Sequence, residues 1–115
     1  LRKYAGDDDM AAVGVAAQGI VRAAELLSKT YTLVATNVPY LGRGKQADVI
    51  KHHLEAEFAL GKADLATAFV QLCFEFVRTG GTTALVTPQN WLFQNSYRKL
   101  REELLQRREW SGLVS

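Results

Sequence analysis

The chain has 115 residues, of which 48% are hydrophobic and 23% are charged, and its formal net charge is +2. This composition is typical of an ordinary globular domain, large enough for one modest core and no more. We find no apolar run of 18 residues, so the sequence predicts no membrane span. The single cysteine, Cys73, excludes an intramolecular disulfide and favours a reducing, cytoplasmic compartment.

The first third of the chain combines an acidic start with an alanine-rich stretch. The chain begins with Leu and not Met, so we expect a piece of a longer protein. Residues 1–9 are polar and acidic, and we expect a linker or a disordered stub there. Residues 10–28 are rich in alanine and predict a helix capped by Asp9, weakened in its first turns by Gly14 and Gly19.

An apolar, β-branched run at residues 31–36 predicts a buried strand of a parallel sheet. The run ends abruptly in Asn37-Val38-Pro39-Tyr40, and a glycine-containing basic loop follows. Ligands of open α/β folds bind beyond the carboxyl ends of parallel strands. We therefore predict a functional site at residues 37–40.

The chemistry of these four residues suits the binding of an amino group. Pro39 has a fixed φ and restricts Val38 to extended geometry, so the backbone is stiff. The side-chain oxygen of Asn37 and the carbonyl of Val38 can then accept the two protons of one amine, while Tyr40 offers a flat face for a heteroaromatic ring. The arrangement predicts catalysis by proximity and electrostatic orientation.

The remaining sequence predicts a helix, a second helix, a strand and a last helix. Residues 48–60 form the first helix, and Asp64 is the N-cap of the next one, over residues 65–78. Gly80-Gly81 ends that helix, and residues 82–87 form a second buried strand.

A right-handed crossover makes the two strands parallel, so residues 89–93 emerge beside the Asn37 loop. The last helix begins at Asn95 or Ser96, and residues 112–115 start a further strand.

Four polar side chains beside residues 37–40 are candidate DNA contacts. Arg43 and Lys45 lie between glycines on the strand-end loop and are candidates for phosphate binding. Gln89 and Asn90 contact DNA or cofactor, or only pack, and the sequence leaves both interpretations open. We interpret Leu92 and Phe93 as packing residues, and the basic C-terminal residues as a solvated helix face.

The histidines and the cysteine give no sign of a catalytic or metal site. His52 and His53 are adjacent and cannot both face one metal ion on a helix, so we predict no metal. Cys73 lies on the apolar stripe of its helix and is interpreted as a small core residue.

Asn37-Val38-Pro39-Tyr40 resembles the Asn-Pro-Pro-Tyr motif of amino methyltransferases that use S-adenosylmethionine. Residues 80–92 resemble the next strand of that fold, and residues 96–101 resemble the helix after it. Together, residues 30–115 resemble large adenine-specific DNA methylases of restriction-modification and phage-exclusion (BREX-type) systems. The one departure within the motif is Val38, where that family usually has proline.

The resemblance implies a fold, a reaction and partners. The fold is a partial Rossmann-like α/β methyltransferase fold whose parallel strands are joined by crossover helices and whose sheet is incomplete. The reaction transfers a methyl group from S-adenosylmethionine to the exocyclic amine of a flipped-out adenine in DNA. The cofactor pocket is expected in strands that precede this segment, so the segment alone is expected to be inactive. Its open sheet edges predict self-association.

Two other interpretations remain open at this point. Loops of the same type serve methyltransferases that act on a glutamine amide of a protein or on RNA guanine. A different class of function is a non-catalytic module of this fold that serves assembly.

Overall fold

The computed structural model describes residues 3–114, with side chains from residue 9 onward. In chain order the elements are helix α1 (Lys3–Leu27), strand β1 (Tyr31–Asn37), helix α2 (Asp48–Glu57), helix α3 (Leu65–Phe76), strand β2 (Val77–Val86) and helix α4 (Arg98–Arg107). Short 3₁₀ turns lie at Arg43–Lys45, Gln89–Leu92 and Asn95–Tyr97. The chain divides after Thr30 into two compact units, of which the first is essentially α1.

Helix α1 is one continuous helix of 25 residues. The prediction of a linker over residues 1–9 is wrong from Lys3 onward, and Leu1 and Arg2 lie outside the described residues. Asp9 lies inside the helix and is not its cap. The high alanine content outweighs Gly14 and Gly19, each of which costs only about 1 kcal/mol relative to alanine.

The segment Asp9–Leu27 of α1 is long and apolar enough to cross a membrane, so our expectation that no such stretch exists is wrong. Length and composition are weak support for a span, because core helices and signal sequences share them. The helix is also amphipathic. Val13, Ile20 and Leu27 recur every seven residues along one side, whereas the ion pair of Arg22 and Glu25 (2.8 Å) lies on the other.

Strands β1 and β2 pair in parallel, as the crossover rule predicts. The register runs from Leu33 opposite Thr82 to Asn37 opposite Val86. Strand β2 begins at Val77, earlier than predicted, and its register is irregular around the two glycines.

Gly80 and Gly81 are needed in this irregular stretch for two different reasons. Gly80 has a φ of +75°, in the left-handed region that favours glycine. A Cβ on Gly81 would lie 2.8 Å from the carbonyl oxygen of Thr32, so the two backbones approach closely there. The glycines therefore lie within the start of β2, and they do not end helix α3 as we expected.

Only one face of the two-stranded sheet is covered by the described residues of the second unit. On that face Leu85 packs against a core that comprises Val70, Trp91, Tyr97, Leu100 and Leu104. On the opposite face Leu33 and Val86 are each 61% exposed. The prediction of two fully buried strands is therefore wrong for this face, while the α/β class and the parallel pairing are confirmed.

Helix α3 is the main buried helix of this unit, and its start is as predicted. The carboxylate of Asp64 accepts a hydrogen bond from the N–H of Ala66 (2.8 Å) and caps the helix. Cys73 is buried on α3, and this burial raises the pKa of its thiol, which suits a core residue.

The other boundaries differ slightly from the predicted ones. Helix α2 ends at Glu57, and α4 begins at Arg98 after the turn at Asn95–Tyr97. Residues 108–114 form no strand, and Ser115 lies outside the described residues.

Candidate active site at the end of strand β1

The hydrogen-bond ladder of the parallel sheet continues one residue beyond the end of β1, to Val38 of the four-residue motif. The N–H of Val38 donates a hydrogen bond to the carbonyl oxygen of Val86 (3.2 Å), and Val38 as a whole is only 3% exposed. A proline at this position would have no N–H to donate. The N–H that valine brings to the motif is thus used to fix the peptide between Asn37 and Val38.

A second set of hydrogen bonds holds the chain just after the motif. The N–H of Leu41 donates to Oδ1 of Asp64 (3.3 Å), and its carbonyl accepts from the N–H of Leu65 (3.0 Å). The side-chain amide of Gln46 donates to the same carbonyl (2.9 Å). The motif is therefore held at both ends, by β2 on one side and by the start of α3 on the other.

Asn37 and Tyr40 are exposed between these two anchors. The Tyr40 hydroxyl donates a hydrogen bond to Oδ1 of Asn37 (3.2 Å), and the Tyr40 side chain is 55% exposed. An amide oxygen has two acceptor positions, so one remains for the proton of an incoming amine. The motif thus presents an amide oxygen and an aromatic ring, and it carries no charged group.

The two basic residues of the following loop differ in their surroundings. A nitrogen of the Arg43 guanidinium lies 2.5 Å from a carboxylate oxygen of Glu55, and Nζ of Lys62 lies 3.8 Å from the same oxygen. The charge of Arg43 is therefore compensated within the fold. Lys45 is exposed, and it has no ion pair among the described residues.

Gln89 and Asn90 are exposed in the turn that follows β2. Because Asn37 is opposite Val86 in the sheet, this turn emerges at the same edge as the motif. The turn is held by buried Trp91, whose indole N–H donates to the Thr87 hydroxyl (2.9 Å). The structure brings both amides to the predicted edge.

The guanidinium of Arg101 holds the same turn from the other side. It donates hydrogen bonds to the carbonyls of Trp91 and Gln94, both at 2.7 Å. The packing interpretation is confirmed for Leu92, which lies against the core. For Phe93 it is wrong, because this side chain is 73% exposed.

Sequence reasoning missed the residues that support the motif from a distance. Asp64 was predicted as a helix cap, but nothing in its spacing indicated the bond to Leu41. Gln46 is a polar loop residue that the structure shows to be only 4% exposed. Its position near the motif is the only feature of the sequence that could have indicated this role, and that feature does not distinguish Gln46 from other loop residues.

The two histidines belong to no group of metal-ligating side chains among the described residues. His52 and His53 are exposed, and the His53 ring meets Phe58 edge-on at 5.9 Å between centroids. Among the residues that the structure describes, no three His, Cys, Asp or Glu side chains are grouped to hold a metal ion.

Comparison with known proteins gives the family. Residues 12–115 match the Eco57I restriction-modification methylase family, and the chain belongs to this family. It is 29% identical over 87 residues to the "Adenine-specific methyltransferase PglX" of Lacticaseibacillus casei (strain Zhang), and 35% identical over 86 residues to the "Adenine-specific methyltransferase BrxX" of Escherichia coli O9:H4 (strain HS). These matches cover 76% and 74% of this chain but only 7% of each relative. The family resemblance of residues 30–115 is thereby confirmed.

The hydrogen bond of Val38 can be tested by Val38→Pro. Proline stabilises a protein by restricting its unfolded chain, but where the replaced N–H is hydrogen-bonded, the loss of that bond lowers the stability by more than this gain. We expect the free energy of unfolding in urea to fall by about 1 kcal/mol, the usual net contribution of one such bond. Val38→Ile, which keeps the N–H, is the matched control. A Val38→Pro protein as stable as the unsubstituted one would contradict this account of the motif.

Proposed function

We propose that this chain is the base-binding segment of a DNA adenine methyltransferase that acts in restriction-modification or phage defence. The family and the names of both relatives support this proposal. The observation that carries it is the geometry of residues 37–40. An amide oxygen and an aromatic ring lie at the end of a parallel strand, next to a peptide that the Val38–Val86 hydrogen bond fixes.

In the proposed reaction, the motif binds and orients the amine of an extruded adenine. Oδ1 of Asn37 and the carbonyl of Val38 accept the two amine protons, which directs the nitrogen lone pair away from the protein. Tyr40 stacks on the base. Extrusion is required because the amine is otherwise paired and stacked inside the duplex. Fixing the reacting group in this way accounts for catalysis without a titrating side chain.

We propose S-adenosylmethionine as the methyl donor, which supplies an electrophilic methyl carbon when it is bound. The uncharged groups of the motif suit a neutral base. We therefore assign the motif to the acceptor adenine.

The same edge of the sheet is proposed to face DNA. Lys45 is the candidate for a phosphate contact, since its charge has no partner among the described residues, and Gln89 and Asn90 are candidates for polar contacts. Arg43 is the weaker candidate because Glu55 already binds it. A cytoplasmic location would give such an enzyme access to DNA and to its cofactor.

The central test of this proposal uses the full-length protein that carries this chain. It is incubated with unmethylated host DNA and methyl-tritiated S-adenosylmethionine, and the DNA is digested to nucleosides. We expect label in methyladenine, and we expect Asn37→Ala to lower the rate by about 100-fold, as the loss of one orienting polar group does in other enzymes. Asn95→Ala, which removes another exposed amide, is the control and is expected to retain the full rate.

Three outcomes would contradict the proposal. An Asn37→Ala protein that methylates adenine at the normal rate would remove the motif from the reaction. Label found in RNA or in protein glutamine, and absent from adenine, would assign a different acceptor. Cofactor binding with no transfer at all would favour a non-catalytic assembly module.

Lys45 makes a second, separate test. We expect Lys45→Ala to weaken DNA binding and to reduce the slope of log affinity against log salt by about 0.9, the effect of one lost phosphate contact on duplex DNA. Lys51→Ala is the control, because Nζ of Lys51 already pairs with Asp48 (3.1 Å). An unchanged salt slope in Lys45→Ala would show that this residue does not contact phosphate.

A further inference from the structure

Asp64 is distant from the motif in sequence but contacts the residue that follows it. One carboxylate oxygen of Asp64 accepts two hydrogen bonds, from the N–H of Ala66 (2.8 Å) and from the N–H of Leu41 (3.3 Å). The bond from Ala66 is an ordinary helix cap. The bond from Leu41 has no role in the helix, and it reaches the backbone directly after Tyr40.

The backbones on the two sides of this contact are also paired. Gly42 and Asp64 form an isolated antiparallel bridge. The N–H of Leu65 donates to the carbonyl of Leu41 (3.0 Å), and the N–H of Arg43 donates to the carbonyl of Ala63 (2.9 Å). The loop is therefore attached to the start of α3 by main-chain bonds, and the Asp64 side chain adds the contact nearest to Tyr40.

The Tyr40 ring depends on this attachment because little else holds it. Its hydroxyl bonds to the Asn37 side chain, which belongs to the same exposed motif, and more than half of its surface faces solvent. The direction of the ring is consequently set by the main chain on either side of it. Val38 fixes the preceding side through Val86, and Leu41 fixes the following side through Asp64.

We propose that Asp64 is a positioning residue, which sets the Tyr40 ring for base stacking by holding the N–H of Leu41. The catalytic part of this role rests on the proposed function. The structural part, by which Asp64 holds the loop, does not depend on that function. A carboxylate suits the task because one of its oxygens can serve both N–H groups at once.

Three substitutions of Asp64 in the full-length protein separate the loop contact from the helix cap. Asp64→Asn keeps an acceptor oxygen at the same reach. Asp64→Ser keeps a good cap, but its oxygen lies one bond closer to the backbone and does not reach Leu41. Asp64→Ala removes both contacts. Each variant is compared in hydrogen exchange of the Leu41 amide, in thermal unfolding, and in kcat and KM for methyl transfer to unmethylated host DNA.

We expect Asp64→Asn to behave as the unsubstituted protein. Asp64→Ser should raise the exchange rate of the Leu41 amide by about five-fold, the effect of losing one typical hydrogen bond, with a smaller fall in melting temperature than Asp64→Ala because the helix cap is kept. It should lower kcat by a similar factor and leave KM for DNA unchanged, because the base is bound but misplaced. Asp64→Ala should show both effects together with a lower melting temperature.

Two results would overturn the proposal. If the Leu41 amide exchanges at the normal rate in Asp64→Ser, the carboxylate does not hold the loop. If exchange rises while kcat stays the same, the contact does not position Tyr40 for the reaction. A protein that transfers no methyl group to adenine would refute the proposed function and, with it, the catalytic role of Asp64, while exchange at Leu41 would still decide whether Asp64 holds the loop.

Discussion

The parallel pairing of β1 with β2 determines where Asn37, Gln89 and Asn90 lie. Its last hydrogen bond, from the N–H of Val38 to the carbonyl of Val86, carries the ladder into the motif itself. The pairing also brings the turn with Gln89 and Asn90 to the same edge of the sheet as Asn37. The close approach at Gly81 and the left-handed backbone at Gly80 make this pairing possible, so two glycines remote from the site contribute to its geometry.

Much of this fold is predictable because its signals are local. Asp64 before an apolar helical stripe indicates a cap and a core helix, and a strand, helix and strand in sequence indicate a parallel pair. The early start of β2 was missed because Val77 to Gly81 pair irregularly, a property of the tertiary contact with Thr32. The exposed face with Leu33 and Val86 was also missed, since an apolar strand sequence does not say which of its faces the chain itself covers.

For the site, as for the fold, the sequence predicts the types of residue present but not the contacts that they make. The sequence identifies an amide, a proline and an aromatic ring at a strand end, and the structure places them there. The sequence does not show that Arg43 is bound to Glu55, that Tyr40 donates to Asn37, or that Asp64 holds Leu41. Each of these contacts joins side chains or loops whose geometry is fixed by packing, and none has a periodic pattern that could be read along the chain.

The most direct measurement is a structure of the full-length protein bound to DNA and to a non-reactive analogue of S-adenosylmethionine. If the account is correct, an extruded adenine has its exocyclic nitrogen about 3 Å from both Oδ1 of Asn37 and the carbonyl oxygen of Val38, with its ring stacked on Tyr40. An extruded base bound elsewhere, with residues 37–40 free of it, would contradict the account.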